Sequence, residues 1–332
     1  MRRRTLLLGL AGVAGAGGLA ACTAETGGGT AGAPSASAST SAAPILASTK
    51  ASSLAPRPIT APYVPPPGAA PAHAYPVGRR LLPLSRGDRV LPTTVFYPAA
   101  GVAPRSPAPA DEAPAATGRF PMVLFSHGLT SQPADYAAML ARWAQAGLVV
   151  VAPTYPNTSY GAKKLDPPDI VNQPDDASHV IDAVLAVGDP LAAMIDPNRL
   201  AAAGHSAGGI TTVGLFSARR DERLKAGVVF AGTDFQAVPF TGPSAAMLFV
   251  HGRKDTTVNY SAGHTVFEAV PWSRAMLSVT EGGHVTEAAD FEASTSTTTE
   301  FLRWSLYGDA AAKARIPEAA ATGGVATFEN QL

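Results

Sequence analysis

Leu200-Ala201-Ala202-Ala203-Gly204-His205-Ser206-Ala207-Gly208-Gly209-Ile210 joins a short apolar run to a helix-compatible segment, 210–219, through a turn of small residues. Its centre, residues 204–208, has the form G-x-S-x-G. That pattern reads as a tight strand-to-helix turn that holds a serine hydroxyl clear of the backbone, where a base can reach it. Gly204 and Gly208 then have a mechanical task. The serine sits in a cramped backbone conformation, and a side chain at either flank would collide with the neighbouring strand or helix.

Outward from this turn, apolar strand-like runs alternate with helical patterns. The strands are expected at 90–97, 122–126, 148–153, 200–204, 226–231, 246–251 and 275–280, and the helices at 134–145, 177–187, 210–219, 261–269 and 296–306. Short continuous apolar strands separated by helices predict an α/β fold, a mostly parallel central sheet with helices on both faces. Right-handed crossovers bring the C-terminal ends of parallel strands to one edge, where ligands and catalytic groups collect.

A serine needs an imidazole to take its proton, and the imidazole needs an acid to fix its tautomer and stabilise its cation. Of the seven histidines, His73 lies near the chain's low-complexity segment, and His179 and His264 fall in expected helices. His205 is expected to be aimed away from the serine by its neighbour's backbone. His127 and His251 each end a strand before a glycine. His284, in the loop Glu281-Gly282-Gly283-His284 after the last strand, is the expected base. Two acids are open. Asp255 follows the penultimate strand in His251-Gly252-Arg253-Lys254-Asp255, and Asp234 follows the strand before it in Gly232-Thr233-Asp234. The order Ser, Asp, His and the turn-forming neighbours favour Asp255; a solvated turn aspartate is the bland reading of either.

Thr94-Val95-Phe96-Tyr97-Pro98, Phe125-Ser126-His127-Gly128-Leu129, the 204–209 turn, the 251–255 loop and Gly283-His284 together resemble the α/β-hydrolase family, most nearly its dienelactone hydrolase-like, cutinase-like and platelet-activating-factor acetylhydrolase-like serine esterases. The resemblance covers nearly all of the chain beyond residue 71. It implies an α/β-hydrolase fold, Ser206, His284 and Asp255 as a catalytic triad, and oxyanion-hole N–H donors at Ala207 and Leu129. In the acetylhydrolase-like members the acid follows the earlier late strand, which keeps Asp234 open. The connection at 232–244 is too short for a large cap domain, so the site is expected to be open. The implied activity is carboxylic ester hydrolysis through an acyl-enzyme, with lipase-like, polyester-hydrolysing and small-ester substrates all allowed. A serine peptidase or amidase on the same triad, and a non-catalytic surface-binding protein with the same fold, are the alternatives. Histidine and carboxylate spacing shows no metal-ligand pattern, and neither metal nor cofactor is expected.

Residues 1–21 read as an export signal, with Arg2-Arg3-Arg4 ahead of an apolar, glycine-rich stretch too short for a comfortable span. Leu19-Ala20-Ala21-Cys22 resembles a lipobox and the paired arginines a twin-arginine signal; an ordinary secretory signal is the alternative. Cys22 is the one cysteine in the chain, so no intramolecular disulfide is possible. Residues 22–71, rich in Ala, Ser, Thr, Pro and Gly, cannot bury enough apolar surface to offset their ordering entropy and are expected to be a disordered tether. Residues 72–332 then form the catalytic domain, exported and lipid-anchored to the outer face of a bacterial cytoplasmic membrane, or secreted. Lys and Arg together number 25, as do Asp and Glu, for a net charge of zero. That balance argues against a nucleic-acid partner. A monomer acting on small-molecule or polymeric esters, in contact with a membrane only through the anchor, is expected.

Overall fold

The structure, a computed structural model, describes residues 58–188 and 190–332. Cys22, the export signal and most of the expected tether lie outside the described residues. The elements follow in the order β1 (Val77–Arg86), β2 (Arg89–Pro98), β3 (Ala110–Asp111), β4 (Phe120–Ser126), α1 (Ala137–Gln145), β5 (Val149–Pro153), α2 (Gln173–Ala186), α3 (Pro190–Ala193), β6 (Ile195–His205), α4 (Ala207–Phe216), β7 (Leu224–Phe230), β8 (Ala246–Gly252), α5 (Tyr260–Ala269), β9 (Arg274–Val279), α6 (Phe291–Tyr307), α7 (Ala310–Ala320) and β10 (Ala326–Gln331).

All ten strands join one sheet in the order β10-β9-β8-β7-β6-β4-β5-β2-β1-β3. The block from β9 to β5 is parallel, as expected, and antiparallel strands flank it: β10 on β9, β2 on β5, and β1 on β2. Successive side chains of a strand point to opposite faces, and two cores follow from this. Met122, Leu124 and Ala202 pack on one side with Val180 and Val184 of α2, Leu215 and Phe216 of α4, and Phe267 of α5. Val123, Phe125, Ala201 and Ala203 pack on the other with Leu140 and Trp143 of α1 and with Phe301 and Leu302 of α6. Each large side chain buried this way contributes roughly 2 kcal/mol.

Several boundaries differ from the expected ones. The packed region begins before residue 72: Tyr63 is buried, its N–H bonds Ser273 Oγ at 3.0 Å and its hydroxyl donates to the Ser305 carbonyl at 2.8 Å. One aromatic side chain wedged against Trp304, at 6.2 Å between ring centroids, holds this stretch although its composition is tether-like. The strands β1, β3 and β10 and the helices α3 and α7 are additional. β10 lies at the sheet's edge and reads Ala-Thr-Phe-Glu-Asn-Gln, with Phe328 its one large apolar side chain; α7 is announced by Asp309, whose carboxylate accepts the N–H groups of Ala311 and Ala312. Between β7 and β8 the chain forms no helix, so that connection inserts no helical cap.

Candidate active site

Ser206 follows β6, inside the parallel block, where Gly204 pairs with Ser126 of β4 and His205 with Phe230 of β7. Its backbone has φ 55° and ψ −116°, a strained region for a residue with a side chain. The Ser206 N–H bonds the Phe230 carbonyl at 2.9 Å, and α4 starts with the next residue. Glycines in the first turn of a helix cost about 1 kcal/mol each against alanine, yet Gly208 and Gly209 stand there. The reason is steric. A Cβ on Gly204 would lie 2.1 Å from the Gly208 carbonyl oxygen, one on Gly208 would lie 1.9 Å from the Ser126 oxygen, and one on Gly209 would lie 2.9 Å from Gly232 Cα. Local helix propensity is overridden so that α4 can sit directly on β4 and β7.

The loops after β8 and β9 bring two more side chains to the serine. Ser206 Oγ lies 2.8 Å from His284 Nε2, and His284 Nδ1 lies 2.8 Å from Asp255 Oδ2. The carboxylate only accepts, so Nδ1–H donates to it and Nε2 is free to accept the serine proton. The two loops fit against one another because β8 ends in Gly252, where a Cβ would lie 2.2 Å from the Gly283 oxygen. Asp255 is buried; its Oδ1 accepts the N–H groups of Thr257 at 2.8 Å and Val258 at 2.9 Å. Burial works against its charge, but hydrogen bonds from His251, His284 and the Val258 N–H outweigh it and hold the carboxyl well below the usual carboxylate range. Asp234 is engaged differently. Its Oδ1 caps a turn by accepting the N–H groups of Gln236 and Ala237.

Leu129 lies in a turn closed by the Ser131 N–H on the Gly128 carbonyl at 3.1 Å, with Thr130 at φ 58°. A Cβ on Gly128 would stand 3.4 Å from Ser206 Cβ, so this loop borders the nucleophile. The Leu129 N–H has no hydrogen-bond partner among the described residues. The Ala207 N–H, first in α4, belongs to the helix turn whose donors have no intrahelical acceptor. An anionic oxygen at such a place meets backbone donors and the positive end of a helix.

Sequence reasoning missed four side chains here. His205 is not aimed away: its ring lies 4.9 Å from that of His284, and its Nε2 lies 2.7 Å from the His284 carbonyl oxygen. Tyr136 reaches His205 Nδ1 at 2.9 Å. His251, buried, places Nε2 at 2.8 Å from the Val258 carbonyl and 3.2 Å from Asp255 Oδ2, so one N–H is shared between them. His127 accepts the Tyr155 N–H at Nε2, 3.1 Å, and donates from Nδ1 to the Gly128 carbonyl, 2.8 Å. No local pattern marks the longer-range of these contacts, because Tyr136–His205, His205–His284 and His127–Tyr155 join residues 69, 79 and 28 positions apart. Of the aromatic residues near the site, Trp272 and Phe240 pack into the core, Tyr155 is buried against Ser126 Oγ at 2.8 Å, and Phe235 stands in solvent.

Residues 102–234 match the family model for chlorophyllase. The chain has the α/β-hydrolase fold. The match runs from before β3 through the Leu129 loop, the Ser206 turn and β7; it ends ahead of the loops that carry Asp255 and His284. It points to hydrolase activity. A search of curated proteins finds no match. Among the described residues, no three or more His, Cys, Asp and Glu side chains are grouped to hold a metal ion, and no helix is long and apolar enough to cross a membrane.

Proposed function

We propose that the chain is a carboxylic ester hydrolase that works through an acyl-enzyme on Ser206. The observation that carries this reading is the run of hydrogen bonds from Ser206 Oγ through His284 to Asp255, beside two backbone N–H groups, of Leu129 and Ala207, that have no partner among the described residues. Ser206 Oγ attacks the ester carbonyl carbon while its proton passes to His284 Nε2. The resulting imidazolium is stabilised by Asp255, and the developing oxyanion by the N–H groups of Leu129 and Ala207, at about 3 kcal/mol per donor. As the bond to the alcohol oxygen breaks, Nε2 returns the proton to that oxygen. Water then repeats the sequence on the acyl-serine, releasing the acid and restoring Ser206.

Exposed apolar side chains around the strand ends support an apolar ester. Tyr160, Leu165, Val171, Phe235 and Val285 all follow parallel strands on the edge where Ser206 stands. Val171 and Phe235, with Ile170, Pro174 and Ile210, line a shallow groove along α4, and Ile210 lies one helical turn past Ser206. Export and anchoring through Cys22 are part of the same proposal, supported by the lipobox-like sequence. The test is a panel of chromogenic esters from acetate to octanoate with a matched anilide. Turnover of esters in preference to the anilide, lost in Ser206→Ala with the fold intact, is expected. Turnover retained by that variant, or preference for the anilide, sinks the reading.

A further inference from the structure

His205 occupies the x of G-x-S-x-G, and every polar atom of its ring is assigned by its surroundings. Nε2 faces the His284 carbonyl oxygen at 2.7 Å. A carbonyl only accepts, so Nε2 carries the proton and the neutral ring leaves Nδ1 as an acceptor. The Tyr136 hydroxyl, 2.9 Å from Nδ1, must then donate to it. The same hydroxyl oxygen accepts the Gly128 N–H at 3.1 Å. The outcome is one directed chain: Gly128 N–H to Tyr136, Tyr136 O–H to His205, His205 N–H to the backbone of His284. Its two ends are the loop that presents the Leu129 N–H and the residue that carries the imidazole facing Ser206.

We propose that Tyr136 and His205 form a clamp across the nucleophile, setting the Leu129 loop and the His284 loop at fixed places relative to each other, and that both are positioning residues for the reaction at Ser206. The proposal rests on the esterase reading above. Three further observations support it. The Gly128 carbonyl is held as well, by His127 Nδ1 at 2.8 Å and the Ser131 N–H at 3.1 Å. With both groups of Gly128 engaged, the next N–H along the chain, that of Leu129, has its direction set. Gly128 also has to be glycine for the chain to close, because a Cβ there would lie 3.1 Å from both His205 Nδ1 and the Tyr136 hydroxyl. Finally, Tyr136 is itself fixed, 4.7 Å from the buried Phe125 ring at the head of α1, and burial keeps His205 neutral, with its pKa pushed down to about 4. A merely structural pair of buried hydrogen bonds would join any two segments. These join the two loops whose separation must match the distance between a carbonyl oxygen and the proton on its attacking serine.

Tyr136→Phe removes one oxygen and leaves the ring. With a short chromogenic ester, kcat of the full chain is expected to fall on the order of 10- to 100-fold, the size of a sub-ångström to ångström misplacement, with KM within about twofold. His205→Gln should show the same split, and the double variant should lose no more than the worse single variant, since either change opens the same chain. A kcat for Tyr136→Phe within about twofold of wild type, a change confined to KM, or losses that add in the double variant would each overturn the clamp. Nitrogen-15 NMR of the histidine rings reads the clamp whether or not the ester is turned over. The His205 Nε2–H should be protected from solvent exchange in the wild type and exchange about tenfold faster or more in Tyr136→Phe. Equal exchange in the two proteins counts against the clamp, whereas turnover by Ser206→Ala counts only against the esterase reading.

Discussion

Asp255→Asn should nearly abolish turnover while leaving the protein folded, and the reason lies in which oxygen is free to change. Oδ1 accepts two backbone N–H groups, from Thr257 at 2.8 Å and Val258 at 2.9 Å. An amide at this position keeps its oxygen there, since turning it would face an NH2 toward two donors. The NH2 therefore takes the place of Oδ2, 2.8 Å from His284 Nδ1. Two donors cannot share that contact, so the imidazole moves its proton to Nε2. It then meets Ser206 Oγ, 2.8 Å away, with a donor where the reaction needs an acceptor. In serine triads a wrong tautomer of this kind costs about 10⁴ in kcat, which at about 1.4 kcal/mol per tenfold is between 5 and 6 kcal/mol of transition-state stabilisation. Asp234→Asn is the control. Its Oδ1 caps the Gln236 and Ala237 N–H groups, a role an asparagine oxygen fills equally, and kcat should stay within about twofold. The assay is steady-state hydrolysis of a short chromogenic ester, with a thermal melt of each variant. An Asp255→Asn enzyme within about tenfold of wild type, or an Asp234→Asn enzyme that loses about a thousandfold, refutes the assignment.

Acid should weaken the fold before it protonates the carboxylates. Burial lowers the His205 pKa from 6.5 to about 4 and lowers that of buried His127 in the same direction, so between these values the unfolded chain binds protons that the folded chain refuses. Stability is then complete above about pH 6.5 and falls as pH drops toward 4, by about 3 kcal/mol from His205 alone; urea titrations at pH 7.5 and 4.5 measure it, and equal midpoints would contradict it. Asp255, whose pKa is depressed, adds a further loss only at still lower pH, once its carboxylate is protonated. Gly208→Ala puts a Cβ 1.9 Å from the Ser126 oxygen, which should destabilise by about 3 kcal/mol or more and displace Ser206 from His284 at a cost on the order of 100-fold in kcat. Gly283→Ala, next to His284 but with nothing within 4 Å of its added Cβ, should leave both the melt and kcat nearly unchanged; similar losses in the two variants would remove the steric account of the turn.

The parallel core was legible because strands buried on both faces are written as uninterrupted apolar runs, such as Val149-Val150-Val151-Ala152 and Met247-Leu248-Phe249-Val250. The turn at Ser206 was legible for a different reason: Gly204 and Gly208 are required by collisions with backbone atoms that any such strand-to-helix turn brings close. Edge elements were not. β1 reads Val-Gly-Arg-Arg-Leu-Leu-Pro-Leu-Ser-Arg and β10 Ala-Thr-Phe-Glu-Asn-Gln, neither an uninterrupted apolar run, because one side of each meets solvent or few neighbours. The start of the packed region was hidden as well, since a single residue, Tyr63, anchors a segment of otherwise weak composition. At the site, residues in the loops that follow strands could be named one by one from the sequence, as Ser206, His284, Asp255 and Leu129 were, and the fold joins the first three in one run of hydrogen bonds. The side chains that reach across were not, because the contact between Tyr136, ahead of α1, and His205, at the end of β6, joins residues 69 positions apart in the chain.

The central claim is that Ser206 is the nucleophile of an esterase. A fluorophosphonate probe tests it most directly, because the reagent phosphonylates a serine only where a base takes its proton. Mass spectrometry of the labelled wild-type chain should place one adduct on the peptide that contains Ser206, with ester turnover lost in proportion to labelling and no adduct in Ser206→Ala. An unlabelled Ser206, or full turnover in a chain labelled there, would contradict the account.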